Sequence, residues 1–295
     1  MKCSPCEETC ANCGGRGSDS LKLKDCTACR LVKYCGVECQ KVHRKQHKTI
    51  CKQRAAEIKD EQLYSQGHER PEGDFCPICT LAIPFPMDRY SCFSPCCINW
   101  ICHGCGLAAQ NRGMLDCPFC RTTYPNNHAD TMAMLQVRVE KKDPEAISTL
   151  GETLFQEKDE RRAVKMWAEA ADLGSITALA NLGVSYYTGN GVQEDKVKGI
   201  RLYEKAAMQG SAISRRNLGH SEASKGNHGR ALKHFLISAK MGDEDSVEMI
   251  KEMFMAGVAT KEKYAEALKS YQNALEEMQS SQRDEANRLM STRNL

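Results

Sequence analysis

The sequence predicts a mainly α-helical protein in which two small cysteine-rich modules precede a right-handed α-solenoid of helix pairs. All eighteen cysteines lie at or before Cys120, and most of them occur in pairs separated by two residues. The 175 residues that follow contain no cysteine. In that segment, Leu-Gly pairs recur after 32 and then 36 residues, a period typical of stacked helical repeats.

Composition excludes several classes of protein. No run approaches the roughly 18 apolar residues of a membrane span, so we expect no membrane partner. Met1–Lys33 is polar and charged, which argues against a secretory signal and therefore against a disulfide framework. Free thiolates that bind metal in a reducing compartment, cytoplasmic or nuclear, fit the cysteines better.

Charge gives little support to a nucleic-acid partner. The net charge is +3 over the whole chain, although residues 1–52 contain eleven Lys/Arg against five Asp/Glu. We interpret that excess as a solvated face of a metal-binding module. The alternative is a phosphate-binding patch, and it predicts a steep dependence of affinity on salt.

The first cysteine cluster supplies eight metal-ligand candidates, enough for two tetrahedral Zn²⁺ ions. They are Cys10, Cys13, Cys26, Cys29, Cys35, Cys39, His47 and Cys51. Their spacing over residues 10–51, with the Tyr34-Cys35 and Cys39-Gln40 pairs, resembles the MYND finger. The resemblance implies one zinc on Cys10, Cys13, Cys35 and Cys39, and a second on Cys26, Cys29, His47 and Cys51. It also implies binding of short, often proline-containing peptides, but His43 stands where many MYND fingers have a tryptophan, so the peptide specificity of the family does not carry over.

The ligand histidine lies in a predicted short helix over Cys39–Cys51. Cys39, His43 and His47 share one face of it. His43 is therefore an alternative ligand, but the family spacing favours His47. Residues 52–75 form a charged linker, predicted to be a solvent-exposed helix or a flexible spacer.

The second cluster spans residues 76–121 and holds nine cysteines. Its order of pairs resembles the all-cysteine RING finger, in which ligand groups alternate between two cross-braced zinc ions. The predicted ligands are Cys76, Cys79, Cys96, Cys97, Cys102, Cys105, Cys117 and Cys120. Cys92 with Cys97 is the alternative second pair, and His103 is predicted not to bind metal.

The two fingers together require sixteen ligands for four zinc ions, which leaves Cys3, Cys6 and Cys92 unassigned. Four-donor sites have no open position for water, so we expect structural zinc. No other catalytic constellation is evident. An enzymatic role therefore stays open only as a RING-type ubiquitin ligase.

Three residues of the second finger match positions at which RING ligases contact a ubiquitin-conjugating enzyme. Ile78 lies between the first two ligands, Pro118 lies between the last two, and Arg121 follows Cys120. An apolar pair beside a planar cation is a plausible anchor for a protein partner. The competing interpretation is that these residues only cover the finger.

The C-terminal segment, residues 129–290, is predicted to be the helical array. Leu150-Gly151, Leu182-Gly183 and Leu218-Gly219 begin successive units, and the middle unit has four extra residues at Gly189-Asn190-Gly191. Small residues let two helices approach closely, and a last polar helix is expected to fray through Gln279–Leu295.

The array resembles Sel-one-like repeats, relatives of the tetratricopeptide repeat that bind proteins. A RING of this type followed by such repeats resembles proteins of diatoms and related algae.

Two hypotheses follow. The first is a zinc-binding interaction scaffold in which the MYND, RING and repeat modules each hold a protein. The second is a RING-type ubiquitin ligase that recruits a conjugating enzyme through the RING and substrate through the MYND finger and repeats.

Overall fold

The computed structural model describes residues 9–18 and 21–293 and divides into two compact units, residues 1–65 and 66–295. The predicted fold class is confirmed: the described chain is mainly helical, with a solenoid of repeats after a cysteine-rich region. Within the described part, no helix combines the length and the apolar character that a membrane span requires.

The first unit is a small finger followed by one long helix. Strands β1 (Lys24–Asp25) and β2 (Lys33–Tyr34) pair antiparallel, and helix α1 covers Val37–Ser65. Cysteine sulfurs supply most of the interior, which also contains the buried ring of Tyr34. So small a module has little apolar core and depends on metal ligation for stability.

Helix α1 extends well beyond the predicted segment Cys39–Cys51. No Gly or Pro interrupts the sequence before Ser65, and Arg54 forms ion pairs with Glu57 at 3.0 Å and Glu61 at 2.8 Å. Such pairs on one helix face contribute a few tenths of a kcal/mol each. The first half of the predicted linker is therefore helix.

The second half of the predicted linker packs against the repeats. A Cβ atom on Gly67 would overlap the carbonyl oxygen of Ala207, and one on Gly210 would overlap that of Glu69. The Arg70 side chain is only 4% exposed and forms an ion pair with Asp74 at 3.0 Å. Residues 66–75 are therefore an ordered part of the second unit.

The second finger contains a hairpin and a short helix. Strand β3 (Ser91–Ser94) pairs antiparallel with β4 (Asn99–Cys102), and α2 (His103–Asn111) follows directly. Two single turns of 3₁₀ helix, Glu72–Asp74 and Met87–Arg89, flank the first ligand turn. Its core combines Ile83 and Ile101 with the cysteine sulfurs.

An entry helix and four helix pairs form the array. The ranges are α3 (His128–Glu140), α4 (Pro144–Gln156), α5 (Glu160–Asp172), α6 (Ile176–Thr188), α7 (Lys196–Met208), α8 (Ala212–Ser224), α9 (His228–Lys240), α10 (Glu244–Met255) and α11 (Lys261–Met278). Residues 157–159 join α4 to α5, whereas residues 189–195 join α6 to α7. The four extra residues of the middle unit thus lie in the turn, as predicted.

In three of the four helix pairs, a glycine of the first helix faces a buried aromatic ring of the second. A Cβ on Gly151 would lie 2.6 Å from Trp167, one on Gly183 2.5 Å from Tyr203, and one on Gly219 2.5 Å from Phe235. All three rings are at most 4% exposed. Only glycine permits this approach, so the Leu-Gly pairs mark where the two helices of each repeat touch.

The chain ends differently from the prediction. A further helix, α12 (Ser281–Arg293), starts after a break at Gln279, and it packs against α2 of the second finger. Arg283 and Ala286 on it are 6% and 3% exposed. The expectation of a frayed polar extension is wrong for residues up to 293.

Candidate metal centres

The sixteen predicted ligands lie in four groups of four. Within each group, the candidate donor atoms all lie within 4.8 Å of one another. The groups are Cys10, Cys13, Cys35 and Cys39; Cys26, Cys29, His47 and Cys51; Cys76, Cys79, Cys102 and Cys105; and Cys96, Cys97, Cys117 and Cys120. In each finger the chain alternates between the two groups, which is the cross-braced order.

Sulfur–sulfur distances fit tetrahedral zinc. Four thiolates at about 2.3 Å from Zn²⁺ form a tetrahedron with edges of about 3.8 Å. Cys13 and Cys35 are 3.7 Å apart, Cys79 and Cys102 are 3.8 Å apart, and the shortest such contact, between Cys96 and Cys120, is 3.3 Å. A disulfide would need about 2.05 Å, and the described cysteines are all free thiols.

Among the described residues, one local turn recurs at four of the five cysteine pairs with two intervening residues. After the second cysteine, the next residue has positive φ and donates its backbone N–H to the carbonyl oxygen of the first cysteine, at 2.8–2.9 Å. These residues are Gly14 (φ 69°), Arg30 (φ 57°), Thr80 (φ 58°) and Arg121 (φ 63°). The turn aims both sulfurs at one point, which explains why this spacing binds metal.

The pair Cys102 and Cys105 is presented by a helix N-terminus instead. Cys102 is the residue that precedes α2, and its sulfur accepts a hydrogen bond from the Cys105 backbone N–H at 3.4 Å. The positive end of a helix dipole stabilises thiolates. The helix terminus thus favours a bound thiolate at these two positions, whereas hydrogen bonds with the Cys102 and Cys76 thiols raise the pKa of Cys105.

Helix α1 carries ligands of both centres in the first finger. Cys39 belongs to one group, whereas His47 and Cys51 belong to the other. His47 is 8% exposed, and its Nε2 lies 3.2 Å from the sulfur of Cys29. One rigid element thus fixes the distance between the two centres.

His43, the alternative ligand, has a different role. Its Nδ1 lies 3.1 Å from the hydroxyl oxygen of Tyr34, and its ring stacks on His47 with centroids 5.7 Å apart. It lies outside the four groups and supports the orientation of His47.

The remaining candidates also lie outside the groups. Cys92 lies on β3 opposite Ile101, and burial raises the pKa of its thiol. The structure thus places Cys97 with Cys96 rather than with Cys92. His103 belongs to no group either, and Cys3 and Cys6 lie outside the described residues.

Each group contains one thiol whose pKa is lowered. Hydrogen bonds from the backbone of Cys13 and Cys35 lower the pKa of Cys10 to about 6. Burial raises the pKa of Cys26, but hydrogen bonds, the strongest of them from the Cys29 backbone, outweigh this effect and lower its pKa to about 6.

In the second finger, hydrogen bonds from the Cys102 and Cys105 thiols lower the pKa of Cys76. The fourth such thiol is that of Cys120. Burial raises its pKa, but hydrogen bonds, first among them one with the Thr122 side chain, outweigh this effect and lower the pKa to about 6. A thiolate is the form that binds metal, so each group has a first ligand ready near neutral pH.

The donor sets fit Zn²⁺, with three groups of four sulfurs and one of three sulfurs and an imidazole. With four protein donors around each ion, no position is left for water or substrate. Such centres hold the fold and do no chemistry of their own.

The predicted partner-binding residues surround the second finger. Ile78 is 42% exposed, and Pro118 is half-buried beside Phe119, which is 50% exposed. Arg121 is exposed, and one of its Nη atoms lies 3.1 Å from the sulfur of Met114. All three predicted residues therefore have accessible surface.

Sequence reasoning missed one residue at these centres. Arg283, on α12, donates an Nη2 hydrogen to the sulfur of Cys79 at 3.4 Å. Its only available signal was Ser280, whose hydroxyl accepts from the Arg283 backbone N–H and caps the helix. A serine at that position predicts where the helix begins but does not indicate that Arg283 contacts Cys79.

Family models match two parts of the chain. The model of the MYND finger matches residues 10–51, and the model of the Sel1 repeat matches residues 151–175, 176–211 and 216–243. The chain contains a MYND finger and Sel1 repeats. The resemblances to the MYND finger and to the Sel1 repeat are thereby confirmed, whereas those to the RING finger and to algal proteins stay predictions.

Solved structures similar to the chain are repeat proteins. A Sel1 repeat protein from Oxalobacter formigenes has 21% sequence identity and a TM-score of 0.46, over 59% of this chain and 71% of that one. The protein c5321, a protective antigen of uropathogenic Escherichia coli with an SLR fold, has 26% identity and a TM-score of 0.43. That match covers 52% of this chain and 34% of the other.

The MYND finger, the Sel1 repeats and the four zinc-compatible groups together define a coarse function. MYND fingers and Sel1 repeats are protein-interaction modules, and the groups are consistent with Zn²⁺. The protein is a zinc-binding protein-interaction scaffold.

Proposed function

We propose that the scaffold holds separate protein partners on its MYND finger and on its Sel1 array, with all sixteen grouped side chains bound to four zinc ions. A reducing intracellular compartment, cytoplasmic or nuclear, suits this chemistry because the thiols must stay free to bind metal. The observation that supports a partner on the MYND finger is a groove in the first unit.

The groove has a volume of about 340 Å³ and lies between the Cys26–Cys29 turn and the outer half of α1. Leu31, which is 52% exposed, and Ile58 form its apolar part. Arg54 and Glu61 line its polar part and form an ion pair with each other at 2.8 Å.

This mixture suits a short peptide segment. One apolar side chain would lie between Leu31 and Ile58, and the backbone would exchange hydrogen bonds with the charged groups at the rim. The MYND family binds short peptides that often contain proline. A preformed polyproline II segment loses little entropy on binding, which suits so small a site.

Binding of a proline-containing peptide library to the full chain, measured by fluorescence polarisation, tests this proposal. We expect Ile58→Glu to weaken the selected peptides at least about tenfold, because it places a charge in the apolar part of the groove. Ile50→Glu is the matched control, since Ile50 lies on the same helix, is 59% exposed and does not line the groove. Equal affinity of the two variants would place the peptide elsewhere.

A second candidate function is that of a RING-type ubiquitin ligase. Exposed Ile78 and Phe119 lie in the two ligand turns of the second finger, and Arg121 directly follows the last ligand. Exposed apolar side chains beside a planar cation suit a protein partner. The ligase would hold a ubiquitin-loaded conjugating enzyme there and do no covalent chemistry itself.

Autoubiquitination with a panel of conjugating enzymes tests the ligase. We expect ubiquitin chains to form with at least one conjugating enzyme, and we expect Arg121→Ala to lose most of this activity and Cys76→Ala to lose all of it. If no conjugating enzyme of the panel gives ubiquitin chains, the ligase hypothesis is refuted, but the scaffold hypothesis is not affected. Activity that both substitutions leave unchanged would come from a contaminant.

A further inference from the structure

The helix α12 is bound to the second finger through direct backbone contact. A Cβ atom on Gly104, in the first turn of α2, would lie 2.7 Å from the backbone nitrogen of Arg283. This contact is adjacent to Cys105, a member of the group Cys76, Cys79, Cys102 and Cys105. A helix from the far end of the chain therefore lies directly beside one metal centre.

Arg283 makes the polar contacts of this interface. Its side chain donates to the carbonyl oxygens of Ala82 at 2.6 Å and Leu81 at 3.0 Å, and to the sulfur of Cys79 at 3.4 Å. A fourth bond, to the carbonyl oxygen of Met278 at 2.7 Å, ties it to the end of α11. The residue is 6% exposed.

These bonds hold the turn that presents two ligands. The carbonyl oxygen of Leu81 also accepts from the Cys76 backbone N–H at 3.0 Å, so Arg283 and Cys76 share one acceptor. A Zn²⁺ ion with four thiolates has a net negative charge. A buried guanidinium that donates to one of those thiolates offsets this charge and fixes the direction of the sulfur.

Apolar packing contributes little to the position of α12. Ala286 is buried, but Leu289 and Met290 are 39% and 43% exposed. The helix is otherwise polar and belongs to no described cluster of buried apolar side chains. Up to residue 291, Arg283 and Ala286 are the buried side chains of this helix, so we expect its docking to depend strongly on Arg283.

We propose that Arg283 is a positioning residue of this metal centre and that it couples zinc occupancy to the docking of α12. When zinc leaves, the turn at Cys76–Ala82 loses its order and the guanidinium loses the three acceptors that this turn supplies, and keeps only the carbonyl oxygen of Met278. A buried charge left with one partner is strongly unfavourable, so α12 separates from the finger. Linkage requires the reverse effect as well: removal of Arg283 weakens zinc retention at this centre.

Zinc release from the full chain tests the first half of the proposal. With a chromophoric chelator and native mass spectrometry, we expect Arg283→Met to release one of four zinc ions about 10- to 100-fold faster than the unmodified chain. Arg283→Lys keeps the positive charge but loses the several N–H donors of the guanidinium, so we expect its rate of zinc release to lie between those of Arg283→Met and the unmodified chain. Arg288→Met, an exposed arginine on the same helix, leaves all rates unchanged. Unchanged release from Arg283→Met would overturn the proposal.

Hydrogen exchange tests the second half. In Cys76→Ser, which removes a ligand of this centre, the amides of α12 lose protection while those of α4 to α9 keep it. In Cys10→Ser, which removes a ligand in the MYND finger, α12 stays protected. Protection of α12 that survives in Cys76→Ser would show that the helix docks without the metal centre and would refute the coupling.

Discussion

Replacement of Gly183 by alanine tests the close approach of helices within the repeats. Glycine inside a helix is normally less stable than alanine by about 0.5–1 kcal/mol, so the substitution would ordinarily stabilise the protein. Here the new Cβ would lie 2.5 Å from Cδ1 and 2.6 Å from Cε1 of Tyr203. Carbon atoms in contact normally lie about 3.5–4.0 Å apart, so the ring must move by about 1 Å.

The expected cost follows from the burial of that ring. Tyr203 is 4% exposed, and overpacking of a well-packed interior costs about 1–3 kcal/mol. After the gain in helix propensity is subtracted, we expect Gly183→Ala to destabilise the array by about 0.5–2 kcal/mol. For an array of this size, that corresponds to a decrease in Tm of about 1–8 °C.

Gly229→Ala is the matched control. Gly229 lies in α9, and no heavy atom would come within 4 Å of its added Cβ, so alanine there should stabilise by up to about 1 kcal/mol. Thermal unfolding followed by far-UV circular dichroism compares the two variants. If Gly183→Ala is as stable as Gly229→Ala, the glycine and tyrosine are not in contact and the reasoning is wrong.

Three further predictions concern other parts of the chain. Burial, with a smaller contribution from Arg215, lowers the pKa of His234 to about 3. The folded state therefore favours the neutral imidazole, whereas the unfolded state binds a proton near pH 6.5. The free energy of unfolding should thus decrease as the pH falls below about 6.5. Between pH 7 and pH 5, the free energy of unfolding measured in urea should decrease by about 2 kcal/mol. This pH dependence should disappear in His234→Gln and should remain in the control variant His228→Gln. Native mass spectrometry should find four zinc ions in Cys92→Ser and three in Cys97→Ser; the opposite result would assign Cys92 as the ligand. Thr80 is a β-branched residue at φ 58°, a strained backbone conformation. Thr80→Gly should therefore slow zinc release from the centre that contains Cys76 and Cys79 by up to about tenfold. Faster release from this variant would show that the threonine side chain is needed there.

The sequence was informative where the structure is built from local, repeated patterns. At four of the five described pairs, two residues between cysteines produce the same turn, with positive φ at the next residue: Gly14, Arg30, Thr80 or Arg121. Because the turn is local, the spacing predicted that the two cysteines of each pair would meet, whereas the assignment of distant pairs to one zinc ion came from the resemblance to MYND and RING fingers. The repeat period located the helix pairs for the same reason.

Contacts between distant segments could not be predicted in this way. Nothing in the composition of α12 distinguishes a docked helix from a frayed one, because its buried side chains up to residue 291 are a single alanine and an arginine. Residues 66–75 likewise have the composition of a charged spacer, although Gly67 packs against Ala207 and the Arg70 side chain is buried in the second unit. Helix α1 was underestimated because a polar helix without an apolar stripe has no periodic signal beyond its ligands.

The long sequence separation between Cys79 and Arg283 has a consequence for biosynthesis. About 160 residues lie between the last ligand of the second finger and Arg283, and at about 5–20 residues per second their synthesis takes roughly 10 to 30 s. A nascent finger that binds its metal during that interval does so without the guanidinium. Ribosome-bound chains that stop before α12 should therefore be the form most easily stripped of zinc.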